Sequence, residues 1–241
     1  MAEVKSIAKM LLMTDVYETE FSPIVVQHPF TSSGIVVLPE KGSKNFKSMD
    51  ITQDAENLKA WRKAVSSAID HTENPYELYM MVNKPYGLTF LKYSAPHLSK
   101  KDFSEILSSA WIMCEAPHND PDVSLDKLVA MFQSADPKVL MDEDEYRDFQ
   151  RLGDMLTVYR GVTSYNADNI KALSWTLNQQ TAEWFAHRFG EDGTVYEATI
   201  AKEHIFALFN RRNESEVIVD PKYLTDITEV QDMASDFILS Q

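Results

Sequence analysis

Short apolar runs rich in β-branched and aromatic residues fill the second half of this chain, and they constrain its fold more than any other feature. Six such runs follow Gly153, at residues 156–162, 172–176, 195–200, 205–209, 217–219 and 224–230. Runs of this length and composition are typical of β-strands. One helix is predicted among them at 179–189, with Asn178 as its N-cap and Gly190 at its end. The sequence therefore predicts a strand-rich half that carries a single helix.

The first 150 residues show longer patterns, in which apolar residues recur at helical spacing. Residues 54–71 predict one helix, and Ser99 predicts the capped start of another. Two β-branched runs, 24–26 and 34–38, predict a hairpin or a pair of strands, and a polar loop is expected at 41–48. This part of the chain is therefore expected to be mainly helical.

Together these two sequence patterns predict an α+β protein. A mainly helical N-terminal region at 1–150 is expected to pack on a split, strand-rich core at 151–241. The chain has 241 residues, which is enough to bury a substantial core. Its 44% hydrophobic content is that of an ordinary folded protein and argues against disorder over most of its length.

Charge and cysteine content exclude several classes of function. The chain has 37 acidic and 23 basic residues, a formal charge of −14, which disfavours non-specific binding to nucleic acid or to an anionic membrane. Cys114 is the single cysteine, so an intrachain disulfide is not possible and a reducing compartment fits. The apolar run at 10–13 is too short for a secretory core or a membrane span. We therefore expect a cytoplasmic protein that does not bind membranes.

Two carboxylates stand one residue apart at the start of the run at 217–219. Strand alternation predicts that Glu214 and Glu216 project to the same side. Two carboxylates on one face, with Arg211 and Arg212 just before them, suit acid/base or cation-stabilising chemistry. For an isolated Glu-x-Glu, a solvated strand entrance is the simpler alternative.

Further motifs precede this pair, each at the end of a predicted strand. In chain order the motifs are Arg160-Gly161, Ser174-Trp175-Thr176 and Glu214-Ser215-Glu216. In this order they resemble the Arg, Ser and Glu motifs of mono-ADP-ribosyltransferases of the bacterial-toxin and ecto-enzyme type. The resemblance covers about residues 156–230. The helix that carries Trp184 and Phe185 directly after the serine motif also matches, and it assigns both aromatic residues to the NAD-binding surface, with a core stripe as the alternative.

The resemblance implies a role in NAD chemistry for each motif residue. Arg160 would pair with the pyrophosphate through its planar guanidinium group, and backbone groups of Gly161 would hold the nicotinamide amide. Ser174 would hydrogen-bond Glu216, with Thr176 bracing the same strand. Glu216 would bind the ribose 2′-hydroxyl and stabilise the ribosyl cation that forms when the N-glycosidic bond breaks. Taken singly, Arg160 could be a surface ion-pair residue, and Ser174 and Thr176 ordinary strand hydroxyls.

The expected acceptor chemistry depends on Glu214. This residue matches the family residue that deprotonates or orients the acceptor. Glu-x-Glu variants modify arginine, so a protein arginine is the first expected acceptor and a nucleobase of RNA or DNA the second. A candidate basic rim for the second is formed by Lys202, Arg211, Arg212 and Lys222. Such an enzyme would be a toxin-like effector that a neutralising partner protein could restrain. An NAD glycohydrolase and an inactive interaction domain with the same fold remain alternatives.

The chain departs from the family pattern at two places. The interval between Arg160 and Ser174 is short, which implies a tight turn without a long loop over the donor. Trp175 fills the middle of the serine motif, where a smaller hydroxyl residue is common. The resemblance implies NAD as the co-substrate. The histidines lack metal-ligand spacing, so no metal is expected, and no glycine-rich phosphate cradle is visible.

Overall fold

The computed structural model describes residues 1–39, 44–114, 120, 122–164, 166, 169–190 and 192–230. The chain divides into two compact units, Met1–Ser124 and Leu125–Gln241. Each unit contains helices and strands, which confirms the prediction of an α+β protein. No helix in the described part combines the length and apolar character that a membrane crossing requires.

Within the described residues, the first unit combines five α-helices with four short strands. In chain order these are α1 (Ala2–Leu12), β1 (Tyr17–Glu18), β2 (Val26–Gln27), β3 (Ile35–Pro39), β4 (Phe46–Asp50), α2 (Ala55–His71), α3 (Pro75–Met80), α4 (Gly87–Ser94) and α5 (Lys100–Met113). Both predicted helices are present as α2 and α5. Asp54 accepts backbone N–H groups at the start of α2, and Ser99 accepts the N–H of Asp102 at the start of α5.

The two β-branched runs of the first unit form the two predicted strands, β2 and β3, but not a hairpin, because they do not pair with each other. β2 pairs with β1, and β3 pairs with β4. β4 overlaps the polar loop predicted at 41–48, of which 41–43 lie outside the described residues. Met49 of β4 is buried opposite Val36 of β3. One apolar residue among polar neighbours therefore supplies the inward contact of this strand, a signal too sparse for a pattern-based prediction.

The second unit is a six-stranded antiparallel sheet with four α-helices in its described part. In chain order these are α6 (Leu125–Ser134), α7 (Pro137–Leu140), α8 (Glu143–Arg151), β5 (Met155–Val162), β6 (Ser174–Thr176), α9 (Gln179–His187), β7 (Thr194–Ala201), β8 (Ile205–Phe209), β9 (Glu216–Val219) and β10 (Thr225–Glu229). The strand order is β10-β7-β5-β6-β9-β8. All six predicted strands are confirmed, and α9 begins after the predicted cap Asn178.

The boundary between the units lies before α6, whereas the sequence analysis placed it at residue 150. The reason is that α6 and α8 pack on β8. Glu145 of α8 is buried, and its Oε1 accepts the backbone N–H of Asn210 at 2.8 Å. Phe132 of α6 stacks on Phe206 of β8, with ring centroids 6.3 Å apart. The helices that precede Gly153 thus share a core with the sheet.

A narrow joint connects the two halves of this sheet. β5 pairs with β7 along its whole length, and β6 pairs with β9 over all three of its residues. β5 and β6, in contrast, share the single pair Tyr159 opposite Thr176. The predicted split into two small sheets is therefore a continuous sheet with a weak central connection.

Helix α9 packs on β5 through small residues. A Cβ atom at Gly161 would lie 2.2 Å from Ala182 O and 2.6 Å from Ala186 N, so helix and strand backbones are in direct contact. Ala182 and Ala186 are fully buried, and Tyr159 packs against them. Helix packing accounts for a glycine at this position, and the contact of its backbone with nicotinamide stays a prediction.

Gly161→Ala is expected to lower the free energy of unfolding by about 2 kcal/mol or more, because the new methyl group meets helix backbone that cannot rotate away. Gly153→Ala is the matched control, since its Cβ would lie 3.8 Å from Met155 O, an ordinary contact. Urea unfolding of the full chain, followed by circular dichroism, compares the two. Equal unfolding midpoints in the two variants would contradict the close contact of α9 with β5.

Candidate active site

Ser174 of β6 and Glu216 of β9 lie next to each other on paired strands, beside the narrow connection between the two halves of the sheet. Thr176 lies directly opposite Glu216, which makes Ser174 the diagonal neighbour of Glu216 on the same face. Ser174 Oγ donates a hydrogen bond of 2.5 Å to Glu216 Oε1. Glu216 is only 7% exposed, so this charge-assisted bond lies in a largely desolvated place. The carboxylate is held in one orientation by a hydroxyl group on the neighbouring strand.

Arg160 reaches across the joint from β5. Its Nη1 donates to the backbone oxygen of Ser174 at 2.6 Å, while its buried Nε–H has no hydrogen-bond partner among the described residues. Burial lowers the pKa of Arg160 to about 10, with Glu216 opposing this shift and Arg188 adding to it. The guanidinium group therefore stays charged at neutral pH. Its known partner is a carbonyl, so Arg160 is not a surface ion-pair residue.

Thr176 braces the site. Its Oγ1 donates to the backbone oxygen of Glu214 at 2.6 Å and accepts the N–H of Asn178 at 3.0 Å. Both bonds are made within the protein, and they tie the segment before β9 to the start of α9. The hydroxyl group thus holds the backbone of Glu214, and its single O–H donor is used within the protein.

Glu214 lies just outside β9 in a turn. Asn213 and Ser215 have φ angles of 57° and 46°, in the left-handed region, so strand alternation does not apply to Glu214. The two carboxylates nevertheless converge. Arg212 Nη2 lies 2.9 Å from Glu214 Oε2 and 3.9 Å from Glu216 Oε2. A shared guanidinium group brings together the side chains that the sequence predicted to share a face.

The predicted basic rim does not form around the carboxylates. Within the described residues, Arg212 is the member of the set that reaches them. The other three pair elsewhere in the second unit: Lys202 with Gln150 O and Leu152 O, Arg211 with Glu145, and Lys222 with Asp126. The surface near Glu216 therefore carries one arginine from the set instead of four basic residues.

An aromatic and cationic cluster extends from the end of α9. Trp184 is 63% exposed and meets Phe185 edge-on, with ring centroids 5.0 Å apart, so Trp184 is not part of a core stripe. The guanidinium carbon of Arg188 lies 5.0 Å from the Phe185 ring centroid. Arg188 also adds to the lowering of the pKa of Arg160. Phe185, over which Arg188 lies, packs against Gly161, the residue after Arg160. The sequence analysis missed Arg188, although its place in the turn that follows the aromatic pair was a usable signal.

Trp175 lies away from the hydroxyl groups of its motif. It alternates along β6 to the side opposite Ser174 and Thr176 and is 2% exposed. Its Nε1 donates to the backbone oxygen of Ala172 at 2.9 Å. The unusual tryptophan is a core residue and leaves the Ser174 face of the strand unchanged.

The short interval after Arg160 is only partly described. The predicted tight turn includes residues 165, 167 and 168, which lie outside the described residues. Among the described residues of this interval, the N–H of Thr163 donates to Asn166 Oδ1 at 2.7 Å, a local bond typical of a turn. Among the described residues, no group of three or more His, Cys, Asp or Glu side chains is placed to hold a metal ion.

Ser174→Ala is expected to lower the free energy of unfolding by about 2 kcal/mol, because it leaves a buried carboxylate oxygen without its donor. In a Glu216→Gln background the same substitution should cost about half as much, since bonds to neutral acceptors are weaker. Urea unfolding of the parent chain, the two single variants and the double variant measures both effects. Ser215→Ala is the control, because its hydroxyl group makes a longer contact of 3.4 Å with a neutral amide oxygen. Equal losses for Ser174→Ala and Ser215→Ala would contradict the strong bond.

Comparisons with protein-family models, with curated proteins and with solved structures give no match to this chain. The family resemblance of the three motifs therefore stays a prediction. What supports a function is the geometry itself: a buried carboxylate oriented by a serine, a guanidinium group with an uncommitted donor, and a second carboxylate that holds an arginine.

Proposed function

We propose that this chain is an ADP-ribosyltransferase that moves one ADP-ribose unit from NAD to a macromolecular acceptor. The observation that carries the proposal is the meeting of Arg160, Ser174 and Glu216 at the joint of one sheet. Arginine, serine and glutamate are common on strands when taken singly. Their direct connection in the order of the family motifs supports a shared task. The two halves of the sheet are also compatible with the split core of this family.

NAD binding is supported by the charges around Arg160. The protein carries a net charge of −14, so an anionic donor needs a local positive surface. Arg160 and Arg188 provide two guanidinium groups in this part of the second unit, and such groups pair well with pyrophosphate oxygens. The exposed ring of Trp184 offers an aromatic face beside Phe185, the residue over which Arg188 lies. These groups would hold the dinucleotide while its ribose lies toward Glu216.

The chemical step would be served by Glu216. Cleavage of the N-glycosidic bond sends the electron pair to the departing nicotinamide and leaves positive charge on the ribose. Glu216 would accept a hydrogen bond from the ribose 2′-hydroxyl group. Its negative charge would stabilise the positive charge on the ribose in a largely desolvated site. Ser174 acts through Glu216, since its hydrogen bond holds the carboxylate in one orientation before the charge develops. Such preorganisation lowers the barrier because little needs to move during the reaction.

A protein arginine is the acceptor that the geometry supports. Glu214 already binds a guanidinium group, that of Arg212, at 2.9 Å, which is the contact an arginine substrate would require. Glu214 would also take the proton that the attacking nitrogen loses. Three of the basic residues that favoured a nucleobase acceptor are paired elsewhere. Hydrolysis of NAD by water needs Arg160 and Glu216 but makes no demand on Glu214, so Glu214 separates transferase from glycohydrolase.

Arg160→Lys is expected to weaken NAD binding by about tenfold or more, equal to about 1.4 kcal/mol, because lysine keeps the charge but loses the planar two-pronged donor. Calorimetric titration of the folded variant with NAD measures the change. Arg147→Lys is the control, since Arg147 is an exposed residue of α8 that pairs with Asp144 at 2.7 Å. An unchanged Kd for Arg160→Lys would remove Arg160 from the donor site.

Glu214→Gln and Glu216→Gln are expected to separate acceptor from donor chemistry. Glu216→Gln should lose nicotinamide release and transfer together, by several powers of ten, because it removes charge stabilisation from the transition state. Glu214→Gln should keep much of its nicotinamide release but lose most transfer, since water needs no alignment by this residue. Parallel assays of released nicotinamide and of label on protein arginine decide between them. Full transfer by Glu214→Gln would contradict the role of Glu214 and the arginine acceptor.

A further inference from the structure

An arginine of this chain already lies where a substrate arginine would have to lie. The guanidinium group of Arg212 contacts Glu214 Oε2 at 2.9 Å, and the same nitrogen is 3.9 Å from Glu216 Oε2. These are the two carboxylates assigned to the acceptor and to the donor ribose. The Arg212 side chain is 44% exposed, so it is not enclosed by the protein. The guanidinium group is therefore both positioned and accessible.

The turn that carries Arg212 is held by several hydrogen bonds. The N–H of Asn213 donates to Asn210 O at 2.9 Å, and the N–H of Ser215 donates to Asn210 Oδ1 at 3.2 Å. Thr176 then fixes the backbone oxygen of Glu214 at 2.6 Å. A nucleophile held next to the reacting centre has a high effective concentration, which favours reaction within one molecule over reaction with a partner in solution.

We propose that Arg212 is a self-modification site, to which the enzyme transfers ADP-ribose from NAD within the same chain. This inference rests on the proposed function. In the step, the bond between the ribose C1′ and the nicotinamide nitrogen breaks, and nicotinamide leaves with the electron pair. An Arg212 guanidinium nitrogen forms the new bond to C1′ and passes its proton to Glu214. The products are nicotinamide, ADP-ribosylated Arg212 and one proton.

Arg211 provides an internal comparison, because it is the same residue type one position earlier. Its guanidinium group points to other carboxylates, 3.3 Å from Glu145 and 3.7 Å from Asp142. Both arginines are partly exposed and paired with two acidic side chains. The difference is that the acidic partners of Arg212 are Glu214 and Glu216. Self-modification by random encounter would label both, whereas transfer at the site would label Arg212.

The test incubates the purified full chain with NAD, measures released nicotinamide, and maps ADP-ribose by mass spectrometry of peptides fragmented by electron transfer. We expect labelling at Arg212 at least tenfold above that at Arg211. Arg212→Lys should lose this label, while Arg211→Lys should keep the label at Arg212. The labelled fraction per unit time should not change with protein concentration, since the step occurs within one chain.

A mixing experiment tests transfer within one chain directly. The Glu216→Gln chain, made heavier by isotope labelling, keeps Arg212 but cannot perform the chemistry, so it should stay unmodified when mixed with the active chain and NAD. Modification of the heavy chain at Arg212 would overturn the assignment to the same chain. Nicotinamide release with an unmodified Arg212 would overturn the self-modification site and leave the proposed function standing. Absence of nicotinamide release from the parent chain would overturn both.

Discussion

Ser174 connects the two charged groups on which the arrangement of the site depends. Its hydroxyl donates to the buried carboxylate of Glu216, and its backbone oxygen accepts from the guanidinium group of Arg160. The negative charge of Glu216 supports the charged form of Arg160 and partly offsets the lowering of its pKa by burial. Burying charge is costly unless hydrogen bonds compensate for the lost water, and both groups obtain such bonds from one residue. The same residue sits where the halves of the sheet have their weakest connection.

The segment between β8 and β9 is secured by two neighbouring arginines that pair in different directions. Arg211 contacts the buried Glu145 of α8, which also accepts the backbone N–H of Asn210. Arg212 contacts Glu214 beside the site. Left-handed backbone at the residues that follow allows the chain to reverse between these anchors. Helix α8 therefore supports the site from a distance, because it fixes the base of the turn that presents Glu214.

Close packing of α9 determines where the aromatic and cationic residues at its end lie. A side chain larger than glycine at position 161 would separate helix α9 from strand β5. Ala182 and Ala186 of α9 are also small, so the two backbones can lie in direct contact. This contact places Phe185 against Gly161, the residue after Arg160, and Arg188 lies over the Phe185 ring. Backbone packing therefore positions a second guanidinium group, that of Arg188, which no sequence motif predicted.

The sequence by itself determined the local elements: the six strands of the second unit and the capped helices. These depend on β-branched runs, cap residues and spacing, which act over a few positions of the chain. Only the tertiary structure decided which strands pair, that Glu214 approaches Glu216 through a left-handed turn, and that Arg212 contacts these carboxylates while Arg211 does not. Those outcomes depend on contacts between residues far apart in sequence, such as Arg211 with Glu145 and Ser174 with Glu216. No local pattern records such contacts, since their free energy appears only when the sheet and its helices pack together.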